Sequence, residues 1–170
     1  MRVNGTFQID APRERVWDSF WDPALMQAWL PGCRQAQWDG EERVFGQVEQ
    51  SVAQLKALFA FDMRVTEREP PGRIRLRGEG RGLTVSSDVA IDITIELEPI
   101  AVNGTLQGAA DGAVTRTAND PASGTRVTYV MDSAITGTLA KVGNFLLRLK
   151  TKELQKLLAA EVKRALEGGG

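Results

Sequence analysis

The sequence predicts an α+β fold in which a curved antiparallel sheet closes around one long C-terminal helix, all within one domain spanning residues 1–170. Two observations carry this. Nearly everything from Arg43 to Ala134 alternates apolar and polar residues with the period of strand, and Gly137 to Glu167 holds no proline and repeats leucine at helical spacing. The space between such a sheet and helix is either a packed core or a cavity lined for an apolar ligand.

The elements follow in order. Val3, Gly5, Phe7 and Ile9 alternate with Asn4, Thr6, Gln8 and Asp10, so Arg2 to Ile9 reads as a first strand with one buried face. Asp10 before Ala11-Pro12 reads as a helix start, and Val16, Trp17 and Phe20 supply that helix with an apolar face. A second short helix is expected from Pro23 to Trp29, ended by Leu30-Pro31-Gly32-Cys33, because proline disfavours helix at the residue before it. From Leu55, the apolar positions Leu55, Ala57, Phe59, Phe61, Met63 and Val65 define an inner face opposite Lys56, Asp62, Arg64 and Thr66.

Pro70-Pro71-Gly72 marks a turn, after which Ile74 and Leu76 alternate with Arg73, Arg75 and Arg77. The next strand turns Val89, Ile91, Ile93, Ile95 and Leu97 inward and Asp88, Asp92, Glu96 and Glu98 outward, so its acids face those arginines across strands. Ala101 to Ser123 is rich in Gly, Ala, Asn and Asp and reads as a long loop or extra hairpin. Thr125 to Ala134 returns to strand. The final helix is expected to follow through Gly137, with a stripe of Leu139, Val142, Leu146, Leu149, Leu154, Leu157, Leu158, Val162 and Leu166, and Gly168–Gly170 as a disordered tail.

Composition removes several function classes. A net charge of -1, from 21 Lys+Arg against 22 Asp+Glu, gives no electrostatic reason to bind nucleic acid. Cys33 is the only cysteine and histidine is absent, which excludes intramolecular disulfides, Cys/His zinc sites and imidazole catalysis, so neither a metal nor a catalytic residue is assigned. Gly78-Glu79-Gly80-Arg81-Gly82 lies in a strand pattern with no following helix, and no cofactor is implied. The first residues lack the continuous apolar run of a signal peptide, and no stretch approaches a membrane span, so a cytoplasmic protein is expected.

The inner-face alternation and the helix stripe together nominate a ligand pocket lined by Trp29, Phe59, Phe61, Met63, Leu76, Ile93, Tyr129 and Leu146. Tyr129, the only tyrosine, either orients a ligand carbonyl or keeps its hydroxyl at a wet rim. Trp21, Leu30, Pro31 and Gly32 are candidates for the cavity mouth; the tryptophans equally suit stapling the short helices to the sheet. On the last helix, Lys141, Arg148, Lys150, Lys152, Lys156, Lys163 and Arg164 outnumber Glu153, Glu161 and Glu167, a balance that suits an anionic lipid surface, an acidic partner or plain solvation.

The order of strand, two short helices, antiparallel strands and terminal helix resembles the helix-grip fold of the START superfamily. Local sequence narrows this. Gly5-Thr6-Phe7, Ala11-Pro12 leading to Trp17, Leu30-Pro31-Gly32-Cys33, Gly78-Glu79-Gly80, Gly124 to Tyr129, and Gly137-Thr138-Leu139-Ala140 with Gly143 together resemble the CoxG family of carbon monoxide dehydrogenase proteins. The 101–123 insertion and Leu157-Leu158-Ala159-Ala160, where the family has a phenylalanine pair, depart from its pattern.

That resemblance implies a non-catalytic accessory protein that binds a lipid or quinone-like molecule and works at the inner face of the membrane beside a molybdenum hydroxylase. The same superfamily offers two alternatives. One is a polyketide cyclase/aromatase-like enzyme, for which Glu49, Asp62 and Arg64 are the nearest candidates, although alternation places Asp62 and Arg64 outside; the other is a chaperone-activator-like interaction module.

Overall fold

The structure, a computed structural model, describes residues 1–52, 54–101 and 124–167. The first strand is β1 (Arg2–Ile9), followed by the short helices α1 (Arg13–Ser19) and α2 (Pro23–Trp29). The strands β2 (Cys33–Asp39), β3 (Arg43–Val52), β4 (Leu55–Glu69), β5 (Arg73–Gly82), β6 (Ser87–Ile100) and β7 (Gly124–Gly137) come next. A 3₁₀ turn (Thr138–Val142) and the terminal helix α3 (Asn144–Glu167) end the fold. The expectations for 102–123 and for 168–170 lie outside the described residues.

The strands form one antiparallel sheet in the order β1-β7-β6-β5-β4-β3-β2. β2 to β7 is therefore a meander, and only the segment carrying α1 and α2 crosses from one edge of the sheet to the other. Crossing on the concave side lets Val16 and Trp17 of α1 bury with Ile9, Ile74, Leu97 and Val127. Met26 of α2 buries with Ala36, Val44 and Met63 at the opposite end.

The start of α1 differs from the expectation. Pro12, with its ring-fixed φ of -65°, occupies the N-cap position, and no side chain caps the helix. Asp10 is instead tied by its own N–H, which donates to Glu167 Oε1 at 2.8 Å. α2 begins as expected at Pro23, and the Asp22 carboxylate accepts from Ala24 N and Leu25 N.

The start of the terminal helix also differs. β7 continues to Gly137, one 3₁₀ turn follows, and Gly143 adopts a φ of +104°, which L side chains avoid, so the helix proper begins at Asn144. Leu139 consequently belongs to the turn, where it buries with Ala57 and Phe59.

α3 runs beside the free edge of β1. Gln155 Nε2 donates to Asn4 O at 3.0 Å, and Glu167 accepts from Asp10. Between these two ties the helix advances about 18 Å and the strand about 20 Å, so the two elements keep step. An edge strand presents unpaired backbone groups, and these two side chains occupy part of them.

The convex face carries the cross-strand charge pairs expected from the alternation. Arg75 makes a bidentate pair with Asp92 at 2.8 and 2.9 Å, Arg77 reaches Asp92 at 3.2 Å, and Arg73 reaches Glu96 at 3.7 Å.

Candidate functional site

Where α1 and the second half of α3 lie over β1, β7 and β6, they enclose a cavity of about 50 Å³. Phe7 and Ile9 come from β1, Val16, Ser19 and Phe20 from α1, and Ile93 and Ile95 from β6. Val127 and Tyr129 come from β7, and Leu158 and Val162 from α3. Each strand supplies its inward set, because alternate side chains share a face, and α3 supplies residues one turn apart. Ser19 does not make the wall polar, since its hydroxyl donates to Val16 O at 2.6 Å.

The volume is that of a few water molecules and falls well below the roughly 300–1,000 Å³ of small-molecule pockets. A ligand the size of a lipid chain requires one wall to move. α1 is joined to the sheet by buried Val16 and Trp17, which pack with Ile9, Ile74, Leu97 and Val127. α3 begins behind a glycine and is held by the two side-chain ties to β1 described above and by Leu158, Val162 and Leu166, which pack in the same core.

Of the residues nominated from sequence, Ile93 and Tyr129 line this cavity. Phe61, Met63 and Leu76 pack around the Met26 cluster under α2, and Phe59 packs under the 3₁₀ turn with Ala57 and Leu139. Leu146 is 39% exposed on the outer side of α3. The Trp29 side chain lies outside the described residues. Phe7, Ile9, Val16, Phe20, Ile95, Val127, Leu158 and Val162 were each visible as apolar positions of their element. The sequence carried no sign of which end of the sheet α1 would cover.

The residues nominated for the mouth are well anchored. Trp21 stacks obliquely on Trp38 at 4.6 Å, with the Arg68 guanidinium 4.6 Å from its ring, and Trp38 Nε1 donates to Phe20 O at 2.8 Å. The Leu30-Pro31-Gly32 turn is pinned to β3, as Gln50 Nε2 donates to Pro31 O at 2.7 Å and Glu49 N to Gly32 O at 2.9 Å. Trp21 therefore packs the link after α1 against β2.

The candidate proton-transfer groups face away from the interior. Asp62 forms a bidentate pair with Arg43 on the convex side at 2.8 and 2.9 Å, and the hydrogen bonds from Arg43 hold its carboxyl below the usual range. Glu49 bridges Arg34 at 2.6 Å and Lys56 at 3.2 Å; partial desolvation pushes its pKa up, but the two cations outweigh it and the net shift is downward. Burial raises the pKa of the Cys33 thiol, which donates to Gln35 O, so it is held in its unreactive protonated form. Among the described residues no cluster of three His, Cys, Asp or Glu groups forms that could hold a metal.

The outer side of α3 has a different character. Leu146, Leu149 and Leu157 are 39%, 48% and 43% exposed, and helical spacing places them on one stripe. Lys152, Lys156 and Lys163 flank that stripe and have no ion-pair partner among the described residues. No helix of the described residues is long and apolar enough to cross a membrane.

Comparison with known proteins agrees with this geometry. The model of the carbon monoxide dehydrogenase CoxG family matches residues 5–101. A conserved protein from Geobacillus kaustophilus superposes with a TM-score of 0.78 at 20% identity, covering 99% of this chain and 97% of its own. A START superfamily protein from Mycobacterium smegmatis superposes with a TM-score of 0.64 at 11% identity, covering 99% of each chain. The Zhui aromatase/cyclase from Streptomyces sp. R1128 superposes with a TM-score of 0.62 at 13% identity, covering 98% of this chain and 93% of its own. The sheet gripping a terminal helix is thus the START-type helix-grip fold. No curated protein matches the sequence.

Proposed function

Because the chain belongs to the carbon monoxide dehydrogenase CoxG family, we propose that it binds and carries a hydrophobic small molecule, lipid or quinone-like, between the sheet and the terminal helix, without catalysing a reaction on it. The observation that carries this reading is the apolar cavity walled on one side by α3. Leu158 and Val162 on that helix face the cavity, so moving the helix enlarges the space the ligand needs. The outward pairing of Asp62 and Glu49 leaves these two without a part in proton transfer, which favours a carrier over a cyclase.

A carrier of membrane-soluble molecules has to meet the membrane, and the exposed leucine stripe with its flanking lysines supplies a surface for that contact. Apolar side chains enter the interface while lysines engage anionic headgroups, each worth about 1 kcal/mol near the surface. The enzyme partner in this reading is a molybdenum hydroxylase of carbon monoxide dehydrogenase type.

Native mass spectrometry of the purified protein tests the carrier reading directly. The expected result is a co-purifying lipid or quinone released by organic extraction; a protein that is empty and takes up neither class in vitro sinks it. Membrane contact is tested by flotation with vesicles containing phosphatidylglycerol. Leu149→Gln with Lys156→Glu is expected to lower retention about tenfold while leaving the melting temperature unchanged, because both side chains are exposed. Equal retention of variant and wild type ends the proposal for this face.

A further inference from the structure

Beside the first half of β1, α3 leaves an open groove of about 560 Å³, far larger than the enclosed cavity of about 50 Å³. Its volume falls within the roughly 300–1,000 Å³ of small-molecule sites. Arg2 and Asn4 stand on the strand side, and Arg148, Thr151, Lys152 and Gln155 on the helix side. Among the described residues no acid lines it. Arg148 and Lys152 lie one turn apart, on the side of α3 from which Gln155 Nε2 reaches Asn4 O at 3.0 Å. Arg2 is already neutralised, since its guanidinium holds Asp132 at 2.9 and 3.1 Å. Arg148 and Lys152 are exposed and have no ion-pair partner among the described residues.

The strand side adds neutral donors. Ser133 N donates to Met1 O, so the odd-numbered residues of this strand bond to β7 and the even-numbered ones turn their backbone groups to the free edge. Asn4 O obeys this by accepting from Gln155. The N–H groups of Arg2 and Asn4 therefore face the groove without a strand partner. Two free cations and two edge donors thus meet in one groove that holds no acid.

We infer that this groove binds a phosphate monoester, with Arg148 and Lys152 on the phosphate oxygens. Arginine presents a planar fork that matches phosphate geometry, lysine adds a point charge, and the edge N–H groups donate to the oxygens that remain. A phosphate monoester carries about -1.5 to -2 charge near pH 7, which the two free cations match. A carboxylate or a phosphodiester brings a single charge and leaves one cation without a counterpart. The rest of the groove takes the group to which the phosphate is attached, either a small soluble alcohol or the glycerol of a membrane lipid. The groove and the enclosed cavity share no lining residue, so this site does not depend on what the cavity carries.

The test follows backbone amide shifts of isotope-labelled protein during titration with glycerol phosphate at constant ionic strength. Saturable shifts are expected at Asn4, Thr151 and Lys152. Arg148→Ala with Lys152→Ala is expected to weaken binding about tenfold or more, because two charge-assisted contacts are lost. Arg81→Ala with Lys141→Ala removes the same charge outside the groove and is expected to leave binding unchanged. All four side chains are exposed, so both double variants should melt near the wild-type temperature. Equal weakening in the two double variants reduces the effect to the general field of the protein and overturns the proposal, as does a wild type without saturable shifts. Flotation separates the two sources of the phosphate. Stronger retention on phosphatidylcholine vesicles containing phosphatidic acid than on those containing phosphatidylglycerol identifies a lipid headgroup, whereas equal retention beside saturable glycerol phosphate binding identifies a soluble ester.

Discussion

Gly32 shows how much one residue decides. It turns the chain from α2 into β2 with a φ of +77°, and a Cβ there would be driven into the Glu49 carbonyl oxygen. Gly32→Ala is expected to cost at least about 1–2 kcal/mol from the backbone alone, read as a lowered urea midpoint. A wild-type midpoint would show that the turn relaxes freely. The convex arginines act through charge. Hydrogen bonds from Arg75, supported by Arg77, hold the Asp92 carboxyl below its usual range. A carboxylate with a depressed folded-state pKa stabilises the fold above its unfolded pKa and loses that contribution as pH falls through the folded value. Asp92→Asn is therefore expected to melt lower than wild type at pH 7, with the difference closing as pH falls below the usual carboxylate range through the depressed folded-state value. A difference independent of pH would mean that the pair contributes through packing rather than charge.

At the scale of elements, the contact of α3 with β1 is the one that bears on the proposed carrier role, because α3 walls the cavity. Two side chains, Gln155 and Glu167, cap backbone groups on the free edge of the strand. Replacing both with alanine is expected to cost about 1–3 kcal/mol in total, since each tie is a single exposed hydrogen bond worth about 0.5–1.5 kcal/mol. Hydrogen exchange should show it locally, with the amide of Asp10 and the turns of α3 around Gln155 exchanging faster while β4 and β5 stay protected. Uniform acceleration across the sheet would show instead that α3 and the sheet unfold as one unit. The starts of the two outer helices illustrate what local patterning leaves open. Pro12 was read as part of a helix start and Gly143 fell within the helix expected through Gly137, but the exact first residue of each helix depended on where β1 and β7 stopped pairing.

For the whole molecule, the question is whether the enclosed space is used. Val162 points from α3 into the cavity and is 8% exposed, so Val162→Phe places a ring in that void. Its expected outcome is loss of N-phenyl-1-naphthylamine binding, with stability changed by less than about 1.5 kcal/mol because the added carbon occupies existing space. Retained binding would place the ligand elsewhere in the concave face.

The alternation of β4, β5 and β6 was enough to sort Met63, Ile74 and Leu97 inward and Asp62, Arg75 and Asp92 outward, because a strand's two faces follow directly from its period of two. The gripped helix and its apolar stripe were legible for the same reason, as was the family resemblance. The cavity itself was not. Ile93 and Tyr129 were recognised as inward, but so were Phe59, Phe61, Met63 and Leu76, which pack into other parts of the core. Leu146 and Leu158 read alike as members of one stripe, yet one meets solvent and the other the cavity. Sequence periodicity determined which face of each element turns inward. Only the crossing of α1 over β1 and β7, and the rotation of α3 against the free edge of β1, decided where inward-facing side chains fail to meet, because a void is a property of several surfaces packed together rather than of any one element.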